Sequence, residues 1–206
     1  MNARRLSANH GVLWLLAGFS LFRRNPPLLT LLTFTYLLLV VVINLIPAIG
    51  PFLLPLVLPL LTVILANGCR SIEVKGAFNG TDLMREVADR RQAIMHLGGL
   101  HLLGSATMVL VSAALGMDLT LSENLTSEQM QDLALDLGLF LMLSTPLLMA
   151  FWFAPLLTLW DKIPPAKSVF FSFVASWRNW RAFFMYGVAV GVAGIIVPGI
   201  LLVTAS

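Results

Sequence analysis

The chain alternates long apolar runs with short charged breaks. From Asn25 to Cys69 there are 45 residues without one Asp, Glu, Lys or Arg. A helix needs roughly 20 mostly apolar residues to cross the hydrocarbon core of a bilayer, so this run has room for two crossings. Pro47, Gly50 and Pro51 punctuate it near the middle and predict a tight turn. The expected spans are therefore about 28–49 and 52–68. Span 2 carries Pro55 and Pro59. Their missing N–H groups free carbonyls that neighbours must satisfy, which predicts a kink or an irregular start. Later runs predict span 3 at about 93–116, span 4 at 137–160 with Pro146 and Pro155 inside it, and span 5 at about 183–203.

The segments between these runs are patterned too. Leu6–Phe22 is apolar except for a stripe of Ser7, His10, Gly11 and Gly18, and Arg pairs flank it. It is too short to cross easily and predicts a helix lying in the interface. In Ala166–Arg181, Phe170, Phe173, Trp177 and Trp180 recur every three to four residues on one face. Ser168, Ser172, Ser176 and Asn179 recur on another, which describes an amphipathic helix. Thr81–Gln92 predicts a more polar helix with Asp82, Arg85, Glu86 and Asp89 placed for local pairing. Thr126 and Gln129 have capping-box spacing and predict a short helix between spans 3 and 4.

The expected fold class is all-α: a polytopic membrane helix bundle of about five transmembrane helices with two or three cytoplasmic interfacial amphipathic helices. Residues 1–206 form a single integral membrane domain. It divides into an N-terminal interfacial helix (1–27), a helical hairpin (28–69), a cytoplasmic loop and helix (70–92), a second hairpin (93–160), an amphipathic helix (161–181) and the last span (182–206). Arg24-Asn25, Arg91-Gln92 and Arg178-Asn179 each precede an outward-going span. Two explanations stand open: a repeated unit with a shared lipid or partner surface, or the positive-inside bias acting three times.

Composition sharpens this picture. Of 206 residues, 58% are hydrophobic and 11% charged, with a mean hydropathy of +0.89. A soluble domain carries about 25% charged residues, so a soluble enzyme is excluded. One cysteine allows neither a disulfide framework nor a cysteine zinc cluster. The net charge of +3 gives no sign of nucleic-acid binding. Its distribution says more. The five-span reading sorts all 13 basic residues to one side, whereas Asp118, Glu123, Glu128, Asp132 and Asp136 fall on the other. The inner side then carries +8 and the outer −5. The expected location is the bacterial inner membrane, multi-pass, with the N-terminus cytoplasmic and the C-terminus periplasmic. Arg4 and Arg5 precede an apolar run, but no small-residue cleavage site follows, so this segment is expected to be retained.

Candidate chemistry is sparse. His101 shares a face of span 3 with Gly98, Ser105 and Ser112, and an ionisable residue in a span usually faces the bundle interior. An interhelical hydrogen bond, a proton or substrate contact and a metal ligand are all open for it. His96 stands five residues away, unsuited to chelation with it. With His101, Ser105, Asn44 and Asp136 are the in-membrane polar candidates for a transport path. Arg23, Arg24, Arg90, Arg91, Arg178, Arg181, Trp177 and Trp180 are the candidates for contact with lipid headgroups. Gly187, Gly191 and Gly194 form a small-residue face expected to pack on a neighbouring helix or a second copy. No catalytic constellation, metal cluster or cofactor motif is visible in the sequence.

Two segments carry a family resemblance. One is Gly11-x-x-Trp14-x-x-x-Gly18-x-x-Leu21-Phe22-Arg23-Arg24-Asn25-Pro26. The other runs from Phe151-Trp152-Phe153-Ala154-Pro155 through Ala166, Phe170-Phe171-Ser172-Phe173 and Arg178-Asn179-Trp180 to Ala182-Phe183. Together they resemble an uncharacterised family of bacterial inner-membrane proteins. More distantly, the outline is similar to the multi-span domain beside some glycerophosphodiester phosphodiesterases. The resemblance implies location and architecture. It transfers no catalytic residue, and the hydrolase domain is not in these 206 residues.

The expected function is accordingly non-catalytic: a scaffold or accessory subunit, not an enzyme, with no cofactor. Its expected partners are membrane phospholipids and another membrane protein, with a homo-oligomer left open and no nucleic acid. The alternatives are a small-solute or lipid transporter with His101 on its pathway and, last, a membrane-embedded lipid-modifying enzyme.

Overall fold

The structure is a computed structural model; it describes the backbone of residues 4–120 and 126–205, with side chains as far as residue 194. The described residues are helices joined by turns. In chain order these are α1 (His10–Arg24), α2 (Pro26–Asn44), α3 (Gly50–Lys75), α4 (Gly80–Leu83), α5 (Arg91–Ala114), α6 (Ser127–Trp152), α7 (Ala154–Leu159), α8 (Pro165–Arg178) and α9 (Trp180–Ala205). Among the described residues, four stretches are long and apolar enough to cross a membrane: α2, α3, α5, and α6 with α7. The fifth expected span coincides with α9.

Most boundaries follow from identifiable chemistry. Asn25 accepts the Leu28 N–H, and Pro26 and Pro27 open α2, where a missing donor costs nothing. Ala48, at φ 61°, turns the chain between α2 and α3. The last turns of α3 end on Gly76, whose φ of 74° suits a residue without Cβ. α2 is apolar nearly all round. Leu31, Phe34, Leu37 and Val41 are each more than half exposed, a surface that suits lipid and not water.

Several expectations change. α3 runs unbroken past Pro55, Pro59 and Gly68 to Lys75, about two turns beyond the expected end of span 2. The helix predicted at Thr81–Gln92 shrinks to α4, because Glu86 adopts φ 60° and residues 84–90 form turns. The helix predicted in the loop between spans 3 and 4 is not separate. The Thr126–Gln129 capping box opens α6 itself, which continues into span 4. Span 4 breaks at Phe153, just before Pro155. Among the described residues, a Cβ at Gly187, Gly191 or Gly194 would meet no atom within 4 Å, so of the two partners expected for this face no neighbouring helix is seen against it.

The tightest crossing brings α5 onto α3. A Cβ on Gly98 would collide with the Leu56 carbonyl, so only glycine allows this approach. Beside it, Val63, Val87, Ile94 and Leu159 form a buried cluster that joins α3, the 84–90 turns, α5 and α7, with Leu60 and Trp160 packed against it. In lipid such packing stabilises by close contact, because there is no water to exclude.

α1 and α9 pair in the same way at the opposite edge of the chain. A Cβ on Gly11 would run into the Ala182 carbonyl and lie 2.5 Å from the Tyr186 nitrogen. Trp14 sets its ring edge against Phe183 and Tyr186, at 5.2 and 6.3 Å between centroids. Asn179, at the α8–α9 junction, accepts the Leu6 N–H at 2.8 Å and donates to the Arg4 carbonyl at 3.1 Å. Arg4 and Leu6 are thus tied to the start of α9.

Candidate functional site

The polar groups concentrate at the end of the bundle that carries the basic residues. Asn67, Arg70, Ser71 and Lys75 stand at intervals of three and four along the last turns of α3, so they share one face. Asn67 is buried and makes three hydrogen bonds. Its amide nitrogen donates to the carbonyls of Leu83 (3.0 Å) and Arg85 (3.2 Å), and its oxygen accepts from the Trp160 indole N–H at 2.9 Å. Two carbonyls that a continued helix would use are thereby occupied, and the chain turns at 84–90 instead.

Asn79 and Asp82 cap α4 reciprocally: the Asn79 oxygen accepts the Asp82 N–H at 2.9 Å, and Asp82 accepts the Asn79 N–H at 3.2 Å. The other Asp82 oxygen receives Lys75 Nζ at 2.7 Å and Arg85 Nη2 at 3.0 Å. The Lys75 hydrogen bond is the main reason the Asp82 carboxyl lies below the usual carboxylate range, with the Asn79 N–H and the Arg85 charge adding to it. Arg70 lies over the Trp160 ring, 5.2 Å from its centroid. One Glu86 carboxylate oxygen is buried without a hydrogen-bond partner.

The predicted headgroup residues divide. Arg23, Arg91, Arg178 and Arg181 are exposed, as are Trp177 and Trp180, and Arg181 covers the Trp180 ring at 5.6 Å. Arg24 is exposed but donates to the Glu73 carbonyl. Beside it, Asn25 donates to the Gly76 carbonyl at 2.8 Å, so the α1–α2 junction docks on the end of α3. Arg90 turns inward instead, to the carbonyls of Thr158 (3.1 Å) and Ile163 (3.5 Å). There it ties α5 to the turn after α7.

α8 has an inverted amphipathic pattern. Its serines, not its aromatics, face protein: Ser168, Ser172 and Ser176 are buried, whereas Phe170 and Trp177 are 62% and 63% exposed. The reason is the break at Phe153. Ser172 Oγ accepts the Phe153 N–H at 2.9 Å and donates to the Met149 carbonyl at 2.9 Å, bridging the two groups that an unbroken helix would join directly. Ser176 also donates to Met149, at 3.2 Å.

His101 is used in a similar way. Pro59 has no N–H to offer the Pro55 carbonyl one turn earlier. That carbonyl lies 3.1 Å from His101 Nδ1, and the imidazole stacks on Phe151 at 4.5 Å. Asn44 ends α2 in an exposed position, and Asp136 accepts the Asp118 N–H at 2.9 Å. Asp136 and Phe151 are 15 residues apart on α6, about 22 Å at 1.5 Å per residue. Asp136 and His101 therefore sit far apart and share no wall. Ser105 lies one turn beyond His101, half-buried, and Ser112 returns its hydroxyl to the Val109 carbonyl. Among the described residues no group of three His, Cys, Asp or Glu side chains could hold a metal ion.

The Asn67–Asp82–Trp160 cluster was not singled out from sequence. Ending span 2 near Gly68 separated Asn67 from the polar positions that follow it at helical spacing. That spacing (67, 70, 71, 74, 75) was the available signal.

No protein-family model matches the chain, and no solved structure does. A probable inner membrane protein of Burkholderia thailandensis is 35% identical over 201 residues, an alignment covering 91% of this chain and 74% of that protein. Together with four apolar helices of spanning length, this places the protein in the inner membrane. The chain belongs to the same family as that probable inner membrane protein.

Proposed function

We propose that the protein is a non-catalytic scaffold or accessory subunit whose basic end lies at the cytoplasmic face and binds phospholipid. α9 then makes a fifth crossing and carries the C-terminus to the periplasm. The observation behind this reading is a pair of lipid-adapted helices at that end. α1 exposes Leu13, Leu16 and Phe19 beside Arg23 and Arg24; α8 and the start of α9 expose Phe170, Trp177 and Trp180 beside Arg178 and Arg181. Apolar faces next to arginines suit a helix resting at the headgroup level, and each well-placed basic residue adds about 1 kcal/mol of attraction to an anionic surface.

The likeness to the membrane domain beside some glycerophosphodiester phosphodiesterases enters as a shared location at phospholipid, not a shared activity. A transporter has less support, because the His101 ring is held between the Pro55 carbonyl and Phe151.

The test compares wild type with a variant carrying Gln at Arg23, Arg24, Arg178 and Arg181. Both are reconstituted in bilayers of mixed charge and extracted with their bound lipid. The wild type is expected to retain excess phosphatidylglycerol and the variant to lose it. Equal retention, or no reproducible co-purifying lipid or protein, overturns the proposal. Reporter fusions after residues 50, 80, 125, 165 and 206 test the orientation; a cytoplasmic C-terminus would refute it.

A further inference from the structure

Two clefts meet at the basic end. One, of about 170 Å³, is charged, with Arg70, Lys75, Asp82, Arg85 and Glu86 on its walls. The other, of about 510 Å³, is open and mostly apolar, formed by Leu21 of α1 and by Leu65, Ala66 and Cys69 of α3, with Thr62 and Glu73 on its wall as well. Arg70 and Trp160 line both, so the charged cleft and the apolar groove share an edge.

The charges within the first cleft are unevenly matched. Lys75 and Arg85 both engage Asp82. Among the described residues, Arg70 forms no ion pair; its guanidinium is held over the Trp160 ring. Glu86 points the other way in charge: one carboxylate oxygen is buried with no donor, on a backbone held at φ 60°. A buried acceptor left without a donor is costly; Arg90 Nε, Ser144 Oγ and Thr158 Oγ1 are also buried without a partner, but of the four residues only Glu86 is a carboxylate and lines this cleft. The cleft thus offers a cation and a separate carboxylate beside an open groove whose mostly apolar walls suit a hydrocarbon chain.

We infer that Arg70, Glu86 and Trp160 build a site for one aminophospholipid. The phosphate pairs with Arg70, the ammonium donates to the Glu86 carboxylate as that side chain turns its buried oxygen toward the cleft, and an acyl chain lies in the groove along Leu21, Leu65 and Cys69. The inference rests on the reading of this end as lipid-facing and narrows it from general attraction to one headgroup chemistry. A glycerol headgroup brings hydroxyls but no positive charge to Glu86. A choline headgroup brings the charge but no N–H. Only a primary ammonium supplies both.

The test uses the full chain in bilayers of equal phosphatidylethanolamine and phosphatidylglycerol, gently extracted and weighed by native mass spectrometry. The wild type is expected to retain one phosphatidylethanolamine per chain. Glu86→Gln, nearly the same shape, is expected to lower that retention about tenfold, the size of one lost charge-assisted hydrogen bond, and to leave phosphatidylglycerol unchanged. Arg70→Gln should lower both. Ala66→Phe, which narrows the groove from outside the charged cleft, should lower phosphatidylethanolamine with the headgroup contacts intact. Matching thermal unfolding of Glu86→Gln and wild type guards against a folding defect.

The site is overturned if Glu86→Gln retains phosphatidylethanolamine like wild type, or if phosphatidylcholine replaces it fully. It is also overturned if millimolar phosphoethanolamine, which has no tails, displaces the lipid. The two proposals fail separately. If the four-arginine variant keeps its phosphatidylglycerol while Glu86→Gln loses phosphatidylethanolamine, the site stands and the broader surface reading falls. The converse result removes the site alone.

Discussion

Replacing Ser172 by alanine tests whether α8 is bound to the bundle through the break in span 4. The hydroxyl is fully buried and makes two contacts of 2.9 Å, accepting from Phe153 N–H and donating to the Met149 carbonyl. Its loss leaves a buried N–H with no partner, a penalty of about 1–3 kcal/mol. The carbonyl suffers less, because Ser176 still donates to it at 3.2 Å. Two effects reduce the total. An unfolded chain in a bilayer keeps its helices, and there Phe153 can bond directly to Met149, so the reference state also finds partners. Interhelical hydrogen bonds in bilayers accordingly average only about 0.6 kcal/mol and reach about 1.7. Ser172 makes two bonds at once, so its alanine variant should cost about 1–2 kcal/mol. Ser176→Ala should cost less by itself. The double variant should cost more than the sum, because the Met149 carbonyl then loses both donors. Equilibrium unfolding in mixed micelles, run as a double-mutant cycle, supplies these numbers. Exposed Ser20→Ala serves as the control. A Ser172→Ala cost no greater than that control, or strict additivity in the cycle, would refute the serine bridge between α8 and span 4.

Further outcomes follow from the same reasoning. His101→Leu should destabilise by about 1 kcal/mol by orphaning the Pro55 carbonyl. Adding Pro59→Ala should recover most of that loss by restoring the backbone donor one turn on, as the same unfolding assay would show; a proton-carrying role for His101 predicts no such rescue. Gly11→Ala should detach α1 from α9, since the added methyl meets the Ala182 carbonyl, and protease access near residue 8 should rise. Gly18→Ala, with open space around it, should not do so. Because Asp82 is held below the usual carboxylate range in the folded protein, its contribution is fully present above that range and is lost as pH falls through the folded value. Thermal stability of the wild type should therefore drop on acidification, and Asp82→Asn should be less stable at pH 7 but flatter across the same interval.

The all-α class and the four stretches long enough to span were legible because apolar run length alone decides what can cross a bilayer. The boundaries were less so, for reasons that differ from place to place. Span 2 was cut short because Arg70, Glu73 and Lys75 ended the apolar run, yet backbone hydrogen bonding continues α3 to Lys75. Thr81–Gln92 has the charges of a helix, but Asn67 takes two of its carbonyls from a distance of 16–18 residues. No local pattern encodes that contact. The serine stripe of α8 was legible as a face, but the direction of that face was not. Near water a serine face turns outward. Here it turns inward, because the nearest unsatisfied polar groups belong to span 4, and the opposite face is left exposed.

That inversion separates structural polar residues from functional ones in this chain. Inside an apolar medium a polar side chain needs a partner, and a proline or a helix break needs a donor or acceptor. The two demands meet repeatedly: His101 serves Pro55, Ser172 serves Phe153 and Met149, Asn67 serves Leu83 and Arg85, and Asn179 serves Arg4 and Leu6. Each is a polar residue in or beside an apolar stretch whose side chain is spent on backbone in the fold, His101 among them although it looks functional in sequence. What this chain offers to another molecule is then found by subtraction, among polar groups that no backbone uses. Arg70 over an indole and a Glu86 oxygen with no donor are among the groups left by that subtraction, and these two share one cleft beside a mostly apolar groove.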